Sequence, residues 1–446
     1  MPSPNSVSSA PLSSEPVSPH PVSSEPVSSP LASSTQAPPP TSHRRAATRA
    51  IHGWRSSDST GPGQPILAPL VQSATFEQGL LGAPQAHTYS RASNPTVSAL
   101  ERSLGALENA EPAVAFASGL AATHVLALAH LAAGDHAIVS ATCYGGTVRL
   151  FRETLAPLGI RTSFVDASDL HALAAAFESR TRLVLIESPA NPTLALADIA
   201  AIAKLTKAAR VPLAVDNTFL TPAFQLPLEL GAEISLLSTT KWIDGHNATI
   251  GGALVTRDAA LRNRYAHLRK CVGSIQSPLD AWLTLQGAKT LPLRLERHAE
   301  HAQRVAEAIE GHPALACVCY PGLRSFPQRE LATRQHRGIA GSGHGGVVTI
   351  TLRGGLEAAR FLARHLRTII VAESLGGVES LLTHPVTMTH GDVPEAQRHA
   401  AGIEAGLVRL SIGLESPEDI LDDLLPTLDA LGPCGQRSSS TEVLRG

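Results

Sequence analysis

No run of about 18 uninterrupted apolar residues occurs in this sequence. The nearest approach, 120–133, is broken by His124 and His130, so a membrane-spanning role is not expected. Charge of one sign is lacking as well: 36 Lys and Arg against 38 Asp and Glu leave a formal net charge of -2. Because these charges are dispersed along the chain, no long-range field favours nucleic acid or an anionic membrane, and a small molecule becomes the expected partner. The cysteines, at positions 143, 271, 317, 319 and 434, form no CxxC pair. Neither a disulfide framework nor a zinc site is expected from them. Cys317 and Cys319, two apart in Ala-Cys-Val-Cys-Tyr, are expected on one face of a strand as small buried hydrophobes. There are 19 histidines, but none has HExxH spacing, so His336 and His344 are read as ordinary histidines and no metal site is predicted. No Gly-x-Gly-x-x-Gly opens a βαβ unit, which argues against a dinucleotide fold. The first 43 residues lack Lys and Arg and fit neither a secretory signal nor a transit peptide, so the expected location is the cytoplasm.

What is present is organised in blocks. The leader is mostly Ser, Pro, Ala and Val, with Pro-Val-Ser-Ser-Glu-Pro-Val-Ser at 21–28, and cannot bury enough apolar surface to offset its ordering entropy. Next, Ala- and Leu-rich helical patterns at 98–109, 119–133 and 198–209 alternate with short apolar runs at 183–186 and 213–215. Such alternation predicts a mainly parallel sheet flanked by helices. Beyond about residue 290, a charged helical stretch (294–310), strand patterns at 347–352 and 407–412 and a helix near 356–367 predict a second, smaller α/β unit. Ligands of open α/β sheets bind beyond the carboxyl ends of the strands, where Glu187 to Asn191, and Asp216-Asn217-Thr218, follow their apolar runs at once.

Four segments carry chemistry. Ser238-Thr239-Thr240-Lys241-Trp242 follows the apolar run 234–237 and sets phosphate-binding hydroxyls beside an amine able to form an imine. Asp216 stands just past a buried strand, where a carboxylate is costly without a cationic partner such as a protonated pyridine nitrogen. Ala117-Ser118-Gly119-Leu120 opens a helical run whose free amides can hold a phosphate. Tyr144-Gly145-Gly146-Thr147 places one of only four tyrosines beside flexible backbone that a planar ligand can approach.

Together and in this order, the segments resemble the transsulfuration branch of the Cys/Met-metabolism enzymes dependent on pyridoxal 5'-phosphate (PLP), over roughly residues 50–431. The resemblance implies the aspartate aminotransferase-like fold type I, with a large mainly parallel-sheet domain and a smaller C-terminal α/β domain. With termini read from composition as a disordered leader (1–45) and a flexible tail (433–446), the resemblance implies an arm reaching a neighbouring active site (46–98), a large PLP-binding domain (99–290) and a small domain (291–432). Residue by residue, it implies that Lys241 carries the cofactor, Asp216 partners its ring nitrogen and Tyr144 stacks on it. Ser238, Thr240 and the amides of Gly119 and Leu120 form the phosphate cradle, with Thr218 beside Asp216. Tyr89 and Arg91 match residues that reach the phosphate of a neighbouring subunit's cofactor, which implies shared sites and not a monomer, and the family resemblance implies a homotetramer built from dimers. Asn191 and Arg409 match the pair that meets the substrate carboxylate, a task suited to a planar guanidinium.

Ser374 matches the residue that orients the lysine, and Glu373 an acid facing the distal ammonium of cystathionine. The implied activity is γ-replacement or γ-elimination of the cystathionine γ-synthase or γ-lyase type. Methionine γ-lyase or O-acyl-homoserine sulfhydrylase chemistry is the alternative, and a non-catalytic binding protein of the same fold is the alternative from another class. Trp242, Thr142-Cys143 and Ala248 depart from residues common in the family.

Overall fold

The computed structural model describes residues 45–56, 62–110, 112–391 and 393–432. The leader, apart from Arg45, and the tail at 433–446 lie outside the described residues. Seven strands form the larger sheet: β1 Val114–Phe116, β2 His136–Ser140, β3 Arg161–Val165, β4 Thr181–Glu187, β5 Leu213–Asp216, β6 Ile234–Leu237 and β7 Gly252–Val255. Their order is β1-β7-β6-β5-β4-β2-β3. The run β3-β2-β4-β5-β6 is parallel, while β7 is antiparallel to both its neighbours. All of β2 and nearly all of β4 is buried, because helices cover both faces; this is why these strands read as continuous apolar runs.

Caps set the helix starts. Helix Pro95–Leu107 begins earlier than the predicted 98, because Asn94 Oδ1 accepts from Thr96 N at 2.9 Å and Pro95 suits the first turn. Helix Gly119–His130 is capped by Ser118, and helix Ile199–Ala209 by Asp198. The first of these stops three residues short of the predicted 133, where Leu131 turns extended.

The smaller sheet contains β8 Leu315–Cys319, β11 Val347–Leu352, β12 Ile370–Val371, β13 Leu381–Thr383 and β14 Leu407–Ser411, ordered β12-β13-β14-β11-β8. A short hairpin, β9 Arg337–Gly338 with β10 Gly341–Ser342, stands apart from it. Alternation along β11 and β14 gives this sheet two unlike faces. Val348, Ile350, Val408 and Leu410 pack in one core with Val305, Leu362 and Leu424 from three helices. The opposite face carries Thr349, Arg409 and Thr383.

Cys317 and Cys319 share a face of β8 as expected, but the expectation that both are buried is corrected. Cys317 is exposed and Cys319 only half-buried, because β8 is the edge strand and its polar face opens onto a cavity of about 530 Å³. Among the described residues, no helix is long and apolar enough to cross a membrane, and no group of three or more His, Cys, Asp or Glu could hold a metal ion.

Candidate active site

β6 ends at Leu237, and the chain turns at once through Ser238, Thr239 and Thr240 to Lys241. Lys241 Nζ donates to Ser374 Oγ at 3.0 Å. Burial, assisted by the Arg409 charge and opposed by Glu373, lowers the lysine pKa to about 8. At pH 7 roughly a tenth of such an amine is neutral and able to attack a carbonyl. Ser374 itself adopts φ 117°, a conformation costly for a residue with a Cβ. Its surroundings fix it: the hydroxyl holds Lys241, and the carbonyl accepts from Arg409 Nη2 at 2.6 Å.

β4 and β5 end in acids that are register partners, Glu187 beside Asp216. Glu187 accepts from Tyr144 N at 2.9 Å on one oxygen and from Asn191 N at 2.7 Å on the other. One carboxylate therefore anchors the backbone of two candidate residues. Asp216 Oδ1 accepts from Thr218 N at 3.0 Å and Thr218 Oγ1 at 2.6 Å, and Thr218 Oγ1 accepts in turn from Ser238 N at 2.9 Å. Asp216 Oδ2 has no hydrogen-bond donor among the described residues. Burial raises the pKa of both acids, and the Asp216 charge raises that of Glu187 further. Two adjoining buried carboxylates favour a cation at the open oxygen.

At the start of helix Gly119–His130, Ser118 Oγ accepts from Ala121 N at 3.0 Å. The first amides of the helix, from Gly119 and Leu120, have no intrahelical acceptor. A Cβ on Gly119 would lie 2.9 Å from Ser238 Cβ, so glycine is what lets this helix end approach the end of β6. Ser238 Oγ has no partner among the described residues. Thr240 Oγ1, by contrast, already donates to Gly251 O at 3.1 Å and accepts from Gly251 N at 3.0 Å, which makes Ser238 the freer donor.

Arg409, in the middle of β14, is buried, and desolvation lowers its pKa to about 10, so it stays charged. Nη1 donates to Asn191 Oδ1 at 2.8 Å, Nη2 donates to Thr383 Oγ1 at 3.0 Å, and Nε is buried without a partner among the described residues.

A cavity of about 240 Å³ is lined by Gly119, Tyr144, Asn191, Asp216, Ser238 and Lys241; Leu120, Glu187, Thr218 and Thr240 also contribute. Tyr89 and Arg91 do not line it. They lie before helix Pro95–Leu107, where Arg91 Nη1 donates to Lys270 O at 2.9 Å and its guanidinium sits 5.6 Å from the Tyr89 ring centre. Glu373 is exposed, yet close enough to raise the pKa values of Lys241 and Arg409.

The sequence matches the family described as "Cys/Met metabolism PLP-dependent enzyme" over residues 47–429. The chain belongs to that family. Its fold is that of the type I PLP enzymes, which include similar solved structures. The "Crystal structure of metB from Corynebacterium glutamicum" matches with a TM-score of 0.83 and 38% identity, over 88% of this chain and 99% of that one. The structure of cystathionine gamma synthase from Xanthomonas oryzae pv. oryzae, in complex with aminoacrylate and cysteine, matches with a TM-score of 0.83 and 39% identity, over 87% and 98%. In sequence, this PLP enzyme is 45% identical to cystathionine gamma-synthase of Mycobacterium tuberculosis over 380 residues, covering 85% of this chain and 95% of the relative. It is 42% identical to cystathionine gamma-lyase of Bos taurus over 389 residues, covering 87% and 94%.

The residues present fit the family's cofactor. Lys241, its pKa lowered by burial, lines the cavity and suits an aldehyde; Asp216, with an open oxygen, suits a protonated ring nitrogen; and the first helix amides with the Ser238 hydroxyl suit a phosphate. Neither Trp242 nor Ala248, two of the departures, lines this cavity. Trp242 is fully buried, edge-on to His298 at 4.8 Å, beside Gly346, where a Cβ would come within 2.5 Å of the indole. Ala248 N donates to Asp244 Oδ2 at 3.0 Å.

The reading of individual residues missed Glu187. The signal was available, because Glu187 ends an apolar run just as Asp216 does, and the same argument applies to both.

Proposed function

We propose that this chain catalyses γ-replacement or γ-elimination on a sulfur amino acid, in the manner of a cystathionine γ-synthase or γ-lyase. The observation that supports it best is the double use of Ser374. Its hydroxyl holds Lys241 while its carbonyl holds Arg409, so the proton carrier and the carboxylate clamp share one support.

Lys241 would hold the aldehyde of PLP, Asp216 the ring nitrogen, Tyr144 the ring face, and Ser238, Thr240 and the amides of Gly119 and Leu120 the phosphate. When bound, PLP supplies an electron sink for a carbanion at the substrate Cα. Arg409 and Asn191 receive the substrate carboxylate, which fixes Cα near Lys241. Once the substrate amine has taken its place at the aldehyde, the freed Nζ of Lys241, with its pKa lowered to about 8, would accept the Cα proton and return it further along the substrate, with the Tyr144 hydroxyl as second carrier. Glu373 is assigned to the distal ammonium of cystathionine.

Residues 46–98 serve in this reading as an arm, 99–290 as the cofactor-binding body and 291–432 as the smaller body. Tyr89 and Arg91 serve the phosphate in a neighbouring subunit of a cytoplasmic homotetramer. Product analysis tests the substrate class: the reading expects turnover of cystathionine, or its formation from an activated homoserine ester and cysteine. Turnover of methionine alone, or of sulfide alone with the ester, would instead favour methionine γ-lyase or sulfhydrylase chemistry.

A further inference from the structure

The polar face of the small sheet contains a row of which the preceding assignment uses only Arg409. Thr383, Arg409, Thr349 and Cys319 are successive register partners across β13, β14, β11 and β8. Three of the four side chains reach consecutive residues of the loop that follows β4. Arg409 Nη1 donates to Asn191 Oδ1 at 2.8 Å, Thr349 Oγ1 to Pro192 O at 2.7 Å and Cys319 Sγ to Thr193 O at 3.2 Å. Thr383 Oγ1 steadies the guanidinium from the other side. Asn191 also ties the loop to the large sheet, because its N donates to Glu187.

We propose that Thr349 and Cys319 are positioning residues for the carboxylate site. They clamp Pro192 and Thr193 so that the Asn191 amide and the Arg409 guanidinium present one fixed pair of donors. The geometry supports this in two ways. Neighbouring strands set side chains on one face about 5 Å apart, so a row across the sheet can track an extended loop residue by residue. Buried carbonyls also need a donor, and Thr349 is the donor given to Pro192 O. Removing a neutral hydrogen bond of this kind weakens whatever it orients by about 3- to 10-fold.

The inference rests on the reading that Arg409 and Asn191 bind the substrate carboxylate, and the experiment separates the two. Holoenzyme is compared as wild type, Thr349→Val, Thr349→Ser, Cys319→Ala, Cys319→Ser and Arg409→Lys. The measurements are KM, kcat, the visible absorbance of the bound cofactor, and calorimetric Kd for glycine as a carboxylate-bearing probe. Thr349→Val is expected to raise KM and the glycine Kd together by about 3- to 10-fold, with kcat and cofactor absorbance nearly unchanged. Thr349→Ser, which keeps the hydroxyl, is expected to restore both. Cys319→Ala should show a smaller shift in the same direction, reversed in Cys319→Ser.

If Arg409→Lys weakens glycine binding but Thr349→Val does not, or if Thr349→Ser fails to rescue, the positioning role is wrong while the carboxylate reading stands. If Arg409→Lys also leaves glycine binding unchanged, the parent reading falls and the inference falls with it.

Discussion

The large sheet meets the cavity with the carboxyl ends of its strands, whereas the small sheet meets the Asn191 loop with the middle of one face. At the strand ends, each group closes or follows its own apolar run: Glu187 ends β4, Asp216 ends β5 and Lys241 comes shortly after β6. On the small sheet, the groups lie within the strands and become neighbours only through pairing, as Arg409 does with Thr349 and Thr383. The first arrangement sets two buried acids side by side, so that a cation at the open oxygen is favoured. The second distributes neutral hydrogen bonds that orient a single charge.

Asp216→Asn tests the first arrangement most severely. Losing the anion at the open oxygen should reduce turnover by about 100-fold or more, while the holoenzyme stays folded, as steady-state rates and circular dichroism would show. If turnover fell less than tenfold, Asp216 would not be the partner of the ring nitrogen. In the second region, Arg409→Lys should raise KM by about 10- to 100-fold, because a hydrogen bond to a charged group is worth more than a neutral one and an ammonium lacks the fork of donors. A fall in kcat at constant KM would instead place Arg409 with the proton-moving groups.

Stability should show the opposite trend in the cofactor-free enzyme. Burial raises the pKa of Asp216 and of Glu187 above their unfolded values, so the folded state holds protons that the unfolded state has released. That difference costs stability as pH rises from the ordinary carboxylate range through the folded pKa values. Cofactor-free Asp216→Asn should therefore melt above wild type at pH 8, by about 2 °C or more, with the gap closing toward pH 4. Differential scanning calorimetry at both pH values checks this, and a gap that widened on acidification would reverse the sign. A smaller effect concerns Lys241. Reloading of the cofactor onto the cofactor-free protein should quicken as pH rises through about 8, where the amine loses its proton. Because Glu373 raises that pKa, Glu373→Gln should move the midpoint to lower pH, and a move upward would contradict the proximity of the two groups.

The same contrast explains what could be read from the sequence. Lys241, Asp216 and Gly119 stand where an apolar run or helix pattern meets polar residues, and one-dimensional pattern is enough to find such junctions. Asn191 and Arg409 came from family resemblance, since nothing local marks an arginine inside a strand as functional. The pairing of Glu187 with Asp216 and the row through Thr349 and Cys319 depend on register between strands distant in sequence. The misplacement of Cys317 as buried has the same origin, because a periodic pattern gives the face of a strand but not its place at the edge of a sheet. The conformation of Ser374 was equally hidden, since a serine gives no sign that its neighbours will hold it at φ 117°.

The proposed chemistry depends on the ε-amino group of Lys241 holding the cofactor. Borohydride reduction of the holoenzyme, followed by peptide mapping, tests this directly. The expected result is a single pyridoxyl label on the peptide containing Ser238 to Trp242, lost in Lys241→Ala; a label on another lysine, or none, would contradict it.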